Sequence, residues 1–271
     1  MKLNTLIKEK KSYLCVGLDP DPSKITNGLT IFDFCQNVID QTLPYTVAYK
    51  INTAFFESMG WRGWRLMSNI VDYLKTKNVF VIADAKRGDI ENTSRYYAKA
   101  FFEELNCDAV TVSPYMGYDS IKPFLEYENK TTIILSLTSN EGAGDFQLNE
   151  MTNGNFLFED VIKCSQNWDK KGDVMYVVGA TKSEYLDYVR KIAPNDFLLV
   201  PGVGDQGGTL KEVSEKLLTD DCGLLVNMSR SIMYSENPGK EAKKIQKEME
   251  SYLLWRSLKE NQDSSLEVMN N

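Results

Sequence analysis

The stretch VFVIADAKRGDIENT, Val79 to Thr93, carries an apolar strand pattern directly into Asp84, Lys86 and Asp89. Side chains alternate faces along a strand, so Asp84 and Lys86 point the same way. Two opposite charges aimed inward at a strand end are costly unless they pair. Such placement is a site hypothesis rather than a packing device. The structural explanation is an ion pair, with Asp89 capping a helix that starts near Ile90. The chain contains no histidine. Ser-His-Asp and Cys-His mechanisms are therefore excluded, as are His-ligated metals. Acid–base chemistry falls to Lys, Asp, Glu, Tyr or Cys.

Other apolar runs also end in polar residues. GLDPDP places Asp19 at the mouth of the first strand, where an Asp-Pro turn is the simpler explanation. AYKIN places Lys50 among apolar neighbours, as a rim-snorkelling lysine would also be. LTSN supplies Thr138, Ser139 and Asn140, residue types that also cap and turn chains. Pro201 opens PGVGDQGG, and NMSRS carries Ser229 and Arg230. Gly202 to Gly207 matches G-x-G-x-x-G, but a dinucleotide site needs an acidic residue ending the next strand, and Asn227 stands there. The better reading is a loop whose backbone N–H groups approach a phosphate, with the Arg230 fork beside it. Barrels commonly bind phosphate after strands seven and eight.

These ends need a scaffold. Strand candidates are Tyr13–Leu18, Val47–Ile51, Val79–Ala83, Ala109–Val112, Thr132–Leu137, Val174–Val178, Phe197–Val200 and Gly223–Val226. Their apolar, β-branched character suits strands buried on both faces. Helical patterns cover Ile31–Leu43, Trp61–Lys75, Ile90–Leu105, Tyr118–Glu126, Asn155–Trp168, Ser183–Ile192, Thr209–Leu218 and Pro238–Lys259. Eight such alternations fit an α/β (β/α)8 TIM barrel, with a doubly wound open sheet as the alternative that counting does not separate. No Pro-, Gly- or Ser-rich linker divides the chain, so one domain is expected over residues 1–260, with a polar, frayed tail at 261–271.

Net charge is −7 and the pI about 4.9, which argues against a nucleic-acid surface but not against a small anionic substrate. Five scattered cysteines without a CxxC pair suggest free thiols in a reducing cytoplasm. The N-terminal MKLNTLIKEKKSYL has no long apolar segment, so no signal peptide is expected. No apolar run is long enough to span a bilayer.

DAKRGDI resembles the D-x-K-x-x-D signature of orotidine 5′-monophosphate decarboxylases. In its KRGD form, with LTSN and NMSRSIMY, it is similar to the branch often called type 2. GLDP, AYKIN, SPYMGYDS, LTSN, PGVGDQGG and SRS occur in family order, so the resemblance spans VGLDPDP to SRSIMY. It implies a TIM barrel that converts orotidine 5′-monophosphate to UMP and CO2 in pyrimidine biosynthesis, with neither metal nor cofactor. By the same resemblance Lys86 is the proton donor to C6, Asp84 lies beside the substrate carboxylate, and Lys50 joins the charged array. Asp19 binds a ribose hydroxyl. Asp89 and Thr93 enter the neighbouring subunit's site, which implies a homodimer with shared sites. Ser139 or Thr138 contacts the pyrimidine, Gln206 bridges base and phosphate, Pro201 lines the base pocket, and Arg230, helped by Ser229, holds phosphate. Many family members carry a tyrosine after that glutamine, where this chain has Gly207-Gly208-Thr209. Two other readings stand beside this one. One is a Mg-dependent phosphosugar decarboxylase or synthase of the same superfamily, disfavoured by LTSN and NMSRS. The other is a non-catalytic nucleotide-binding protein.

Overall fold

A computed structural model describes residues 2–25, 28–204 and 207–269, with side chains for 3–25, 28–204 and 207–259. Eight parallel strands close into a barrel in chain order. They are β1 (Leu14–Leu18), β2 (Ala48–Asn52), β3 (Phe80–Arg87), β4 (Ala109–Val112), β5 (Thr131–Leu137), β6 (Asp173–Val178), β7 (Phe197–Pro201) and β8 (Leu224–Met228). β1 pairs with β8 through Leu14, Cys15 and Val16. That ladder closes the sheet and removes the open-sheet alternative.

Each strand begins within two residues of its sequence-expected start. β3 differs most at its far end, running on to Arg87 rather than stopping at Ala83. The charged residues interrupt the apolar pattern but not the ladder. Asn52 pairs with Asp84, and Arg87 pairs with Val112 after a register shift.

The barrel's outer layer faces the helices. Tyr49 of β2 and Tyr176 of β6 are fully buried. Their hydroxyls meet Thr42 at 2.7 Å and Ser165 at 2.9 Å. Those two helix hydroxyls also donate to carbonyls one turn back, Val38 and Val161, so all four hydroxyls are hydrogen-bonded. Tyr49 points outward, so Lys50 must point inward. The same alternation sends Val177 of β6 and Leu199 of β7 to the barrel interior, while Tyr176 and Leu198 pack against helices.

Helices fill the expected connections, and shorter elements join them. Lys2–Lys10 puts Leu3, Leu6 and Ile7 into the core at helical spacing. Thr53–Glu57 follows β2 directly, and Arg230–Met233 follows β8. The last helix spans Pro238–Met269. Where the polar tail suggests fraying, the backbone stays helical to Met269. No proline or glycine lies beyond Gly239 to end it.

Candidate active site

The C-terminal ends of the strands enclose a cavity of about 590 Å³. Inward positions of successive strands line it: Lys50 and Asn52, Asp84 and Lys86, Thr111, Leu135, Val177, Leu199 and Pro201, and Asn227. The volume falls within the range of small-molecule sites.

Asp84 is the centre. Lys50 Nζ donates to its Oδ2 at 2.7 Å, and Lys86 Nζ donates to its Oδ1 at 2.5 Å. Thr111 of β4 donates to Oδ1 at 3.1 Å and accepts the Lys86 backbone N–H at 2.9 Å. The Lys50 and Asp84 side chains are only 6% and 10% exposed, whereas Lys86 is 52% exposed. Burial alone would raise the Asp84 carboxyl, but the Lys50 and Lys86 ammoniums outweigh it and hold the group well below the usual carboxylate range. Burial alone would lower Lys50; Asp84, then Asp19, reverse this and hold the amine above its ordinary value. Below this array, burial pushes the Cys15 thiol up to about 12, with Lys50 opposing, so it is an inert thiol.

Lys86 has φ 48°, in the left-handed region. For a residue with a Cβ this costs roughly 1–2 kcal/mol. It lies within the register shift that β3 makes against β4 between Ala83 and Arg87. Such bulges re-aim a side chain next to a site. Strict alternation from sequence therefore gives the correct side for Lys86 but not its backbone.

Asp19 follows β1 and lines the same cavity. Its Oδ1 is buried with no hydrogen-bond partner among the described residues. That leaves an acceptor for a ligand hydroxyl. Its backbone is fixed by Tyr234, whose hydroxyl donates to the Asp19 carbonyl at 3.0 Å and accepts the Asp21 N–H at 2.8 Å.

On the opposite wall, Thr138, Ser139, Asn140, Pro201, Ser229 and Arg230 also face the cavity. Gln147 accepts the Thr138 N–H at 2.7 Å and donates to its hydroxyl at 2.9 Å. Thr181 donates to the Ser139 carbonyl at 2.8 Å. Ser229 fits over β1 because residue 17 is glycine: a Cβ there would lie 1.9 Å from Ser229 Oγ. In the glycine loop, Gly202, Gly204 and Gly207 have positive φ. The N–H groups of Gly204, Gly207 and Gly208 donate within the loop, to Gly208, Gly204 and Gly202. These three donors are committed within the loop, and residues 205 and 206 lie outside the described residues.

Of the sequence-expected residues, Asp19, Lys50, Asp84, Lys86, Thr138, Ser139, Pro201, Ser229 and Arg230 share this cavity. Asp89 and Thr93 do not line it. Asp89 Oδ1 instead accepts the Ile90 N–H at 2.8 Å, and Thr93 is exposed. Gln206 lies outside the described residues. Sequence reasoning missed Thr111, Asn227, Tyr234 and Gln147. For Thr111 a signal existed, a polar residue at an inward position of an otherwise apolar strand.

The fold and the site define a class: a closed parallel barrel with its charged site at the C-terminal mouth. The orotidine 5′-phosphate decarboxylase / HUMPS family matches residues 12–245, and the chain belongs to that family. A relative from Phocaeicola vulgatus, named orotidine 5′-phosphate decarboxylase, is 52% identical over 91% of this chain and 96% of its own length. One of the same name from Flavobacterium johnsoniae is 53% identical over 92% and 96%. Among solved structures, Leishmania donovani OMP decarboxylase superposes with TM-score 0.84 at 37% identity, covering 94% of this chain and 99% of that one. Leishmania donovani UMP synthase gives 0.86 at 39% identity, and the match spans 93% of this chain but 56% of that longer chain.

Proposed function

We propose that this chain is a carboxy-lyase that converts orotidine 5′-monophosphate to UMP and CO2, a step of pyrimidine biosynthesis. The observation that carries the reading is the Lys50–Asp84–Lys86 array at the mouth of a barrel whose opposite wall presents Arg230. Breaking the bond between C6 and the carboxylate leaves an electron pair in an sp2 orbital, out of conjugation with the ring carbonyls. Charge must then be met electrostatically. Lys86 faces that carbon, stabilises the pair, and transfers a proton from Nζ to C6 as CO2 departs. Asp84 lies beside the departing carboxylate, so its repulsion acts on the bound substrate and is relieved as CO2 forms. Lys50 keeps Asp84 ionised and reaches the ribose. The unpartnered Asp19 Oδ1 accepts a ribose hydroxyl. Ser139, with Thr138 and Asn140, contacts the pyrimidine over Pro201. Gln206, Arg230 and Ser229 take the phosphate, whose binding energy is remote from the reacting carbon. The chemistry assigned to these residues needs neither metal nor cofactor. Among the described residues, no three His, Cys, Asp or Glu are grouped to hold a metal ion.

The working unit in this reading is a homodimer in which Asp89 and Thr93 complete the neighbour's site. Their position outside their own cavity supports this, as do the exposed Ile90, next to Asp89, and the exposed Tyr115 and Met116, the latter packed beside Gly88. The five free cysteines support a cytoplasmic setting, and no described helix is long and apolar enough to cross a membrane. Residues 1–260 are the catalytic domain, with 261–271 outside the chemistry. Loss of orotidylate absorbance, followed with and without EDTA, tests the reading. Turnover that resists EDTA and vanishes in Lys86→Ala is expected. Binding of UMP without turnover, or turnover of phosphosugars that EDTA abolishes, would overturn it. Mixing Lys86→Ala with Asp89→Asn chains should restore activity through the hybrid site, and failure to do so would remove the shared-site claim.

A further inference from the structure

Arg87 stands beside Lys86 yet lines no part of the cavity. Its side chain is 19% exposed. Nη1 donates to the Ala85 carbonyl at 3.0 Å. Nη2 pairs with Glu57, the last residue of the helix that follows β2. The guanidinium lies 5.3 Å from the Tyr97 ring centroid and 5.4 Å from that of Phe101, both on the helical segment after β3. One side chain thus ties together the ends of β2 and β3 and the next helix.

Lys86 sits inside that clamp. The Ala85 carbonyl before it is held by Arg87 Nη1, its own N–H by Thr111, and the Arg87 carbonyl after it by the Ser113 N–H at 2.7 Å. A left-handed lysine persists only where its surroundings over-determine it, and here three anchors do so. The planar fork can engage a carbonyl and a carboxylate at once while lying over two rings, which suits a guanidinium better than an ammonium. Arg87 Nε is buried with no partner among the described residues, so the placement serves the two Nη contacts at the expense of the third nitrogen.

We infer that Arg87 is a positioning residue for Lys86: its fork holds the Ala85–Arg87 backbone in the bulge that aims the Lys86 ammonium at Asp84 and into the cavity. The kinetic consequence rests on the decarboxylase reading; the geometric one does not.

The test compares Arg87→Met, Arg87→Lys and Glu57→Gln in the full chain. The readouts are kcat, KM, UMP affinity by calorimetry and thermal melting. Trinitrobenzenesulfonate labelling of the Lys86 amine, mapped by peptide mass spectrometry, adds a readout independent of turnover. Misaiming the reacting group without touching the ribose and phosphate contacts should lower kcat about tenfold to a hundredfold in Arg87→Met. KM and UMP affinity should stay within about threefold. Arg87→Lys should recover part of kcat, and Lys86 labelling should rise in the same order as kcat falls. Should Arg87→Met fail to fold, the other two variants carry the same readouts. A folded variant with kcat within about twofold of wild type and unchanged labelling would overturn the inference, as would a loss confined to KM. If the wild type itself shows no turnover, the decarboxylase reading falls, and labelling alone decides whether Arg87 positions Lys86.

Discussion

Replacing Asp84 with asparagine keeps the shape of the side chain and removes its charge, which leaves the Lys50 ammonium buried and short of its main partner. Both members of the Lys50–Asp84 pair are at most one-tenth exposed. Breaking such a pair by changing one partner costs about 3–5 kcal/mol, because the surviving charge stays in the interior. Lys86 is half exposed, so its pairing adds less than about 1 kcal/mol after screening by water. Asparagine can still accept from Thr111, which places the expected loss at the lower end, about 3 kcal/mol. For a chain of 271 residues, an unfolding entropy of ~2.1 cal/mol/K per residue converts this to a fall in Tm of roughly 5 °C. The pH dependence follows from the directions of the two shifts. The Asp84 carboxyl is held low, so its contribution is present above about pH 3.9 and is lost as pH falls through the folded value. Lys50 is held high, so its contribution is complete below about pH 10.4 and is lost as pH rises through the folded value. These are two views of one interaction. The gap in Tm between wild type and Asp84→Asn should therefore be level from about pH 5 to 9 and narrow on either side. Melting by circular dichroism at pH 3, 7 and 10.5, at one protein concentration, measures it. Equal melting at pH 7, or a gap that widens toward pH 3, would refute the reasoning.

Three further outcomes are expected. Lys86→Ala should abolish turnover while UMP affinity by calorimetry stays close to wild type, since the amine faces the reacting carbon rather than ribose or phosphate. Arg230→Ala should lower kcat/KM about tenfold to a hundredfold, the equivalent of ~1.5–3 kcal/mol for a hydrogen bond to a charged group; steady-state kinetics that left KM unchanged would remove Arg230 from the phosphate site. Gly17→Ala should force Ser229 aside, because a Cβ would sit 1.9 Å from its hydroxyl; a stability loss of about 1–3 kcal/mol in urea unfolding is expected, together with weaker UMP binding.

The strands were legible because both of their faces are buried, so each reads as an apolar run whatever its neighbours are. Closure was not, since an open sheet and a barrel place the same residues in the interior of each strand and differ only in whether β1 meets β8. Asp84 and Lys86 were legible because charged residues at the end of an apolar run are conspicuous. The left-handed turn at Lys86 had no local signal, because it depends on Thr111, Ser113 and the Glu57–Arg87 pair across three strand ends. Gln147 acts on a backbone nine residues away and Tyr234 on one 215 residues away, and nothing in the adjoining sequence marks either. Asp89 stood out in the same charged stretch, but its place and that of Thr93 in a neighbouring subunit's site came only through family resemblance, and the cavity of a single chain does not include them.

The division of the site across the barrel has an energetic logic. In the Lys50–Asp84–Lys86 array, Asp84 accepts from both lysines and from Thr111. In the proposed reading, a substrate carboxylate entering beside Asp84 meets a charge of its own sign and competes for Lys86, so this half of the site opposes binding of the group to be expelled. In that reading, favourable binding comes from the remaining cavity residues. Asp19, just after β1, holds a buried oxygen with no partner among the described residues, and Arg230 and Ser229 stand at the end of β8, lining the same cavity as Pro201 and Gly202. Because the groups proposed to bind and the group proposed to repel are held at the ends of different strands of one closed barrel, the proposed reading sets binding energy gained at ribose and phosphate against repulsion at C6 without either set moving toward the other. Trimming the phosphate from the substrate should then reduce kcat as well as affinity, whereas a product lacking the carboxylate should bind without opposition from Asp84.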